Sequence, residues 1–171
     1  NIFSMSLQAQ SWQWANRVGN SNDDSAGILV MKDGSYFLEG FFSGILYFQT
    51  DTLFSNGYND MYLVYYSSTG TELWVKQFGG PNSSSEEEFL AGAVVDNSNS
   101  AFYLSGVFNN SLVIDSFTLA GQGLDYFLAK FDLSGNCLWL KKAGSPLNDV
   151  YTSTVALDPK GFLYWSANLL D

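Results

Sequence analysis

The sequence predicts an all-β protein made of repeated small antiparallel sheets. A phrase beginning with tryptophan recurs at Trp14 to Gly19, Trp74 to Gly79 and Trp139 to Gly144, at spacings of 60 and 65 residues. That period is longer than a solenoid coil and suits a four-stranded sheet, so each unit reads as the blade of a β-propeller, with two complete units and one partial unit. Composition agrees: aromatic residues make up 17% of the 171 residues, Gly numbers 16, and the apolar runs are short and bounded by Gly, Asn, Asp and Ser.

Residues 1–10 stand outside the repeat, and 11–171 form the repeat region. Ile2 to Leu7 followed by Gln8-Ala9-Gln10 fits either the end of a secretory signal cut after Ala9 or an apolar edge strand. Trp12 to Val18 is a lone fourth strand, as at the start of a propeller ring. The first full unit then gives strand a over Ala26 to Lys32, strand b over Tyr36 to Phe42, an extra hairpin over Ile45 to Phe54, strand c over Met61 to Tyr66 and strand d over Glu72 to Phe78. Strand b is apolar at consecutive positions, the pattern of a strand covered on both faces.

The correspondence runs through the whole unit. Acidic residues nine positions apart frame strand a as Asp24 and Asp33, Glu87 and Asp96, and Asp149 and Asp158. Strand b recurs as Tyr36 to Gly40, Phe102 to Gly106 and Leu163 to Ala167. Strand c recurs as Asp60 to Val64 and Asp125 to Ala129, and each copy leads through a glycine turn into Leu73-Trp74 or Leu138-Trp139. Gly40 and Gly106 mark points where backbone or a bulky ring approaches closely. Trp14, Trp74 and Trp139 are expected to be largely buried wedges between sheets.

This order of motifs resembles the bacterial seven-bladed β-propeller repeat family known as SBBP, over about residues 12 to 171. The resemblance implies a secreted or cell-surface bacterial protein, in a family where many members have no assigned biochemical activity. The chain differs in carrying Ala167 where the other units have Gly, and in an acidic insert from Asn82 to Glu88. Two and a half units do not close a ring, so the natural chain is expected to continue or several copies to join. Phe162 to Leu169 is accordingly expected to pair with another strand, from Trp12 to Val18, from further sequence or from a neighbouring copy.

Seventeen acidic against 7 basic residues, net charge −10, disfavour nucleic acid as a partner. No segment approaches the length of a membrane span. The single Cys137 reads as a small buried residue and allows no internal disulfide. With no His in the chain the commonest general base is missing, and no catalytic residue is assigned. Asp23 and Asp24 are adjacent in a polar loop without a shared target, and Asp60 and Asp125 read as carboxylates that satisfy turn amides before strand c.

The connections from strand d to the next strand a emerge on one rim and carry Asp23, Asp24, Glu86, Glu87, Glu88 and Asp149. Asp23, Asp24, Glu87 and Asp149 are candidate calcium ligands; a basic partner or plain solvation are the alternatives. Asp24-Ser25-Ala26 and Asp51-Thr52-Leu53 resemble bacterial O-glycosylation sites, making Ser25 and Thr52 candidates, while Asn82 and Asn109 open N-glycosylation sequons. The function expected is a non-enzymatic extracellular module binding a surface polysaccharide or protein. The alternatives are a subunit assembling with further copies of itself into a ring or filament, and part of a larger polysaccharide-acting enzyme.

Overall fold

The computed structural model describes residues 25–80, 88–98, 100–144 and 150–168, the side chains of 150–152 excepted. The chain is all-β, and the described residues contain no helix. The first unit supplies β1 (Gly27–Val30), β2 (Tyr36–Phe42), the small hairpin β3 (Ile45–Tyr47) and β4 (Thr52–Phe54), then β5 (Asp60–Tyr66) and β6 (Glu72–Phe78). The second supplies β7 (Phe89–Asp96), β8 (Ala101–Ile114), β9 (Phe117–Asp132) and β10 (Cys137–Ala143), and the third β11 (Val150–Leu157) and β12 (Leu163–Asn168). The first two units form four-stranded antiparallel meanders, ordered β1-β2-β5-β6 and β7-β8-β9-β10; β11 and β12 make a third, two-stranded sheet. None of these sheets closes on itself.

Strands b, c and d fall where the sequence places them, within a residue, and strand a is shorter, Gly27–Val30. The extra hairpin takes two forms. In the first unit β3 and β4 pair only with each other, and their loop is tied to β6 by the Glu72 carboxylate, which accepts the Gln49 N–H at 2.9 Å and the Thr50 N–H at 3.0 Å. In the second the hairpin is continuous with the sheet, because β8 and β9 run on past an irregularity between Asn109 and Ser111. There the polarity of the tie is reversed: Asp115 in the hairpin turn accepts the Cys137 N–H at 2.7 Å.

The hairpin turns share one chemistry. Asp33 Oδ1 accepts the Ser35 N–H at 3.0 Å, Asp96 Oδ1 the Ser98 N–H at 3.1 Å, and Asp158 Oδ1 the Lys160 N–H at 2.9 Å. The recurrent acidic position before strand b is thus a turn-capping carboxylate, which an aspartate two residues ahead of an amide supplies locally. Gly34, Gly70, Gly135 and Gly161 occupy the left-handed region in these turns, at φ of 81 to 85°. Ser100 stands at the Gly34 position of the second unit, at φ 48°.

The sheets stack through apolar faces. Phe37, Met61, Leu63 and Phe78 of the first sheet meet Phe102, Leu104, Phe108, Phe127 and Phe131 of the second in one continuous buried cluster. The Phe37 and Phe102 rings approach to 4.3 Å between centroids. Pleating sends the alternate residues of the second sheet the other way, where Tyr103, Val107, Leu128 and Tyr126 pack against Val155, Trp165 and Ala167 of the third. The second sheet is therefore covered on both faces, which is why β8 is buried at eight consecutive positions from Ala101 to Phe108. Gly106 lies at the crowded centre, where a Cβ would stand 2.6 Å from the Phe127 ring.

Trp74 and Trp139 occupy equivalent positions, each on the face turned toward the following sheet, and both are largely but not fully buried. They sit on β6 and β10, the outermost strands of their sheets, so one flank of each indole stays in contact with solvent. Trp74 is nevertheless a wedge between sheets. It packs on Phe37 and Tyr65, donates its indole N–H to the Leu133 carbonyl of the second sheet at 3.2 Å, and lies where a Cβ on Gly135 would touch its ring at 2.9 Å. Trp14 and Trp12 to Val18 lie outside the described residues. Of Phe162 to Leu169, β12 pairs with β11 along one edge, and among the described residues no strand pairs with the other. Its two faces also differ: Trp165 packs inward, whereas Tyr164 is 58% exposed.

Two substitutions test this description in thermal and denaturant melts. Ser100→Gly should stabilise by about 1 kcal/mol by removing left-handed strain. Trp74→Ala should cost about 2 kcal/mol, below the loss for a fully buried tryptophan because the ring is partly solvated already, while Trp74→Phe should recover the packing share but not the hydrogen bond to Leu133.

Candidate functional site

A pair of buried carboxylates lies where the first and second sheets meet at the end of β6. Asp60 opens β5 and pairs in register with Phe42, which carries its side chain to the sheet margin beside Gln77 of β6. Glu88 immediately precedes β7. The end of β6 is bridged here to the second sheet: Val113 of β8 donates its N–H to the Gly79 carbonyl at 3.2 Å, and Lys76 reaches Asp115 at 2.9 Å. These contacts hold Gly79 and Gly80 against the carboxylates. A Cβ placed on Gly79 would be 2.9 Å from Asp60 Oδ1 and 3.0 Å from Glu88 Oε2.

Both side chains are out of solvent, Asp60 at 1% and Glu88 at 0% exposure. Asp60 Oδ2 accepts the Gln77 side-chain amide and the Asn56 amide, the latter at 3.4 Å. Glu88 Oε2 accepts the Gly80 N–H at 3.3 Å. The second oxygen of each, Asp60 Oδ1 and Glu88 Oε1, has no hydrogen-bond partner among the described residues. Burial raises both carboxyls above their ordinary range, and for Glu88 the nearby Asp60 charge adds to it, pushing the group up to about 8. An open cleft of about 550 Å³ adjoins the pair, lined by Asn56, Asp60 and Gln77, by Gly79 and Gly80, and by Val113.

The next unit resolves the same position differently. Asp125, the counterpart of Asp60, is 2% exposed, accepts the Gln122 N–H at 3.1 Å and is neutralised by Lys142 at 3.3 Å. Lys142 is the counterpart of Gln77. The expected turn-amide role is thus seen at Asp125, and at Asp60 the turn residue Asn56 serves the same carboxylate.

The candidate calcium ligands Asp23, Asp24, Glu87 and Asp149 lie outside the described residues, as do Asn82 and its sequon. Ser25 is half-buried; its N–H donates to the Phe41 carbonyl at 3.1 Å and its carbonyl accepts the Tyr62 hydroxyl at 2.9 Å. Thr52 begins β4 and is half-buried, with its N–H on Asp51 Oδ1 at 2.7 Å. Asn109 lies on β8. The Cys137 thiol is buried and, through burial and the Asp115 charge, pushed up to about 11, which makes it a poor nucleophile. Among the described residues no three Asp, Glu, Cys or His side chains are grouped to hold a metal ion.

Sequence reasoning placed Glu88 in a rim loop beside Glu86 and Glu87 and missed that it turns inward. The available signal was the exchange of Lys142 for Gln77 at one repeat position while the aspartate stays. No protein-family model matches the chain, and no curated protein matches it.

The raised Glu88 carboxyl ties stability to pH. The folded protein holds a proton that the unfolded chain releases above the ordinary value of 4.5, so this contribution is fully present below that value and lost as pH rises through about 8. In chelator-treated buffer the melting temperature should therefore fall between those limits. Glu88→Gln, uncharged throughout, should flatten that dependence in melts recorded across the range.

Proposed function

We propose that the chain is part of a non-enzymatic, extracellular β-propeller module of a secreted or surface-attached bacterial protein, with the sheets as scaffold and the connecting loops as the recognition surface for a surface polysaccharide or protein. The observation that supports this reading is the direction of stacking. The first and second sheets each turn the tryptophan face toward the following sheet, and the second receives the first on its other face, an arrangement that suits successive propeller blades. The sequence resemblance supplies the extracellular and bacterial setting. Cys137, buried and with a raised thiol, offers no reactive group, in keeping with a binding role.

A second reading, assembly with copies of itself, is favoured by the outermost faces. Ile28 and Val30 of β1 are 64% and 62% exposed, although their counterparts Ala93 and Val95 pack into the contact between sheets. At the far end Phe162 and Tyr164 are exposed as well. Apolar patches of this kind fit a further sheet.

Light scattering of the 171-residue chain with Ile28→Lys and Val30→Lys separates the two. In the module reading the wild-type chain and the double variant have the same mass, and binding to a panel of surface glycans and proteins is lost by loop substitutions. In the assembly reading the wild-type mass is a multiple that the double variant reduces to one chain. A turnover of polysaccharide by the chain would overturn both.

A further inference from the structure

Asp60 and Glu88 flank Gly79, are sealed from solvent, and each presents an oxygen without a hydrogen-bond partner. Buried carboxylate oxygens are costly unless a proton, a donor or a cation meets them. The repeat shows what the position holds when it is satisfied within the protein: Lys142 on Asp125. In the first unit that lysine is replaced by Gln77, so Asp60 has lost the positive partner and has the Glu88 carboxylate beside it. No cationic side chain pairs with Asp60 or Glu88 among the described residues.

We infer that Asp60 and Glu88, which meet across Gly79, bind a divalent cation, calcium by its chemistry, with Asp60 Oδ1 and the Glu88 carboxylate as the charged ligands. Neutral oxygens stand beside them. A Cβ on Gly80 would meet the Ser111 carbonyl, Glu88 Oε1 at 3.1 Å and Ser111 Oγ at 3.2 Å, so Ser111 brings two neutral oxygens to the Gly80 side of the Glu88 carboxylate. Two carboxylates rather than three do not argue against the ion, since calcium takes carbonyl, hydroxyl and water oxygens to fill its shell. The donor set is all oxygen, with no His in the chain, which disfavours zinc and copper. The neighbouring cleft, lined by Asp60, Gly79 and Gly80 among others, abuts the Asp60 side of the site. These ligands are distinct from the rim carboxylates Asp23, Asp24, Glu87 and Asp149.

The test is calcium titration of the full 171-residue chain after chelator treatment at pH 8, by calorimetry and by thermal melting, with magnesium in parallel. The expected result is one calcium per chain, weaker binding of magnesium, and a raised melting temperature. Glu88→Gln should bind at least tenfold more weakly. Gln77→Lys restores the charge pattern of the second unit and should abolish the calcium response while melting, without calcium, at or above the chelator-treated wild type. Circular dichroism verifies that each variant is folded. Two results would overturn the assignment: no heat or melting shift up to about 10 mM calcium, beyond the range of weak extracellular sites, or an unchanged response in folded Gln77→Lys, which would place the ion elsewhere.

Discussion

Everything in this molecule depends on the second sheet being apolar on both of its faces. Phe102, Leu104 and Phe108 point one way and Tyr103 and Val107 the other, so neither neighbouring sheet can leave without exposing a row of large side chains. Each such side chain contributes on the order of 1.5–3 kcal/mol on full burial. The rest of the architecture serves this stack. Gly106 keeps its centre thin enough for Phe127 to fit, the carboxylate-capped turns hold the strands in register, and Trp74 hooks the first sheet onto the Leu133 turn of the second.

The stack also explains why the junction at Gly79 and Gly80 carries the chemistry. Side chains that alternate between two apolar faces have no room for charge, so polar groups collect at the sheet margins, where strands end and backbone direction changes. There Lys76 meets Asp115 and Lys142 meets Asp125. Asp60 and Glu88 occupy the margin where the first and second sheets meet, and their protonation or ligation becomes part of how two sheets are joined.

Most strands were legible because their signals are local and physical. The consecutive apolar residues of Tyr36 to Phe42 read as a strand covered twice, and the glycines of the Ser68-Thr69-Gly70 and Leu133-Ser134-Gly135 turns fixed where strands c and d divide. That Trp74 and Trp139, largely buried as expected, keep one flank in solvent was not legible, because a tryptophan in a repeat phrase does not reveal that its strand is the outermost one. The continuous β8 and β9 were hidden for a related reason: Leu46 and Leu112 look alike in sequence, yet one belongs to a detached hairpin and the other to a long strand. Glu88 was hidden inside a run of three glutamates, since nothing in such a run says which carboxylate turns inward.

The indole hook of Trp74 carries a kinetic consequence. Because it belongs to one sheet and ends on the backbone of the next, local opening is coupled between neighbours, as in a one-dimensional chain of units with strong nearest-neighbour interactions. Opening of the Leu133 turn releases the first sheet's indole, whereas fraying of β1 leaves the second sheet intact. Amide protection should then form a gradient that peaks at β8 and β9, with the two outer sheets exchanging through smaller and separate fluctuations.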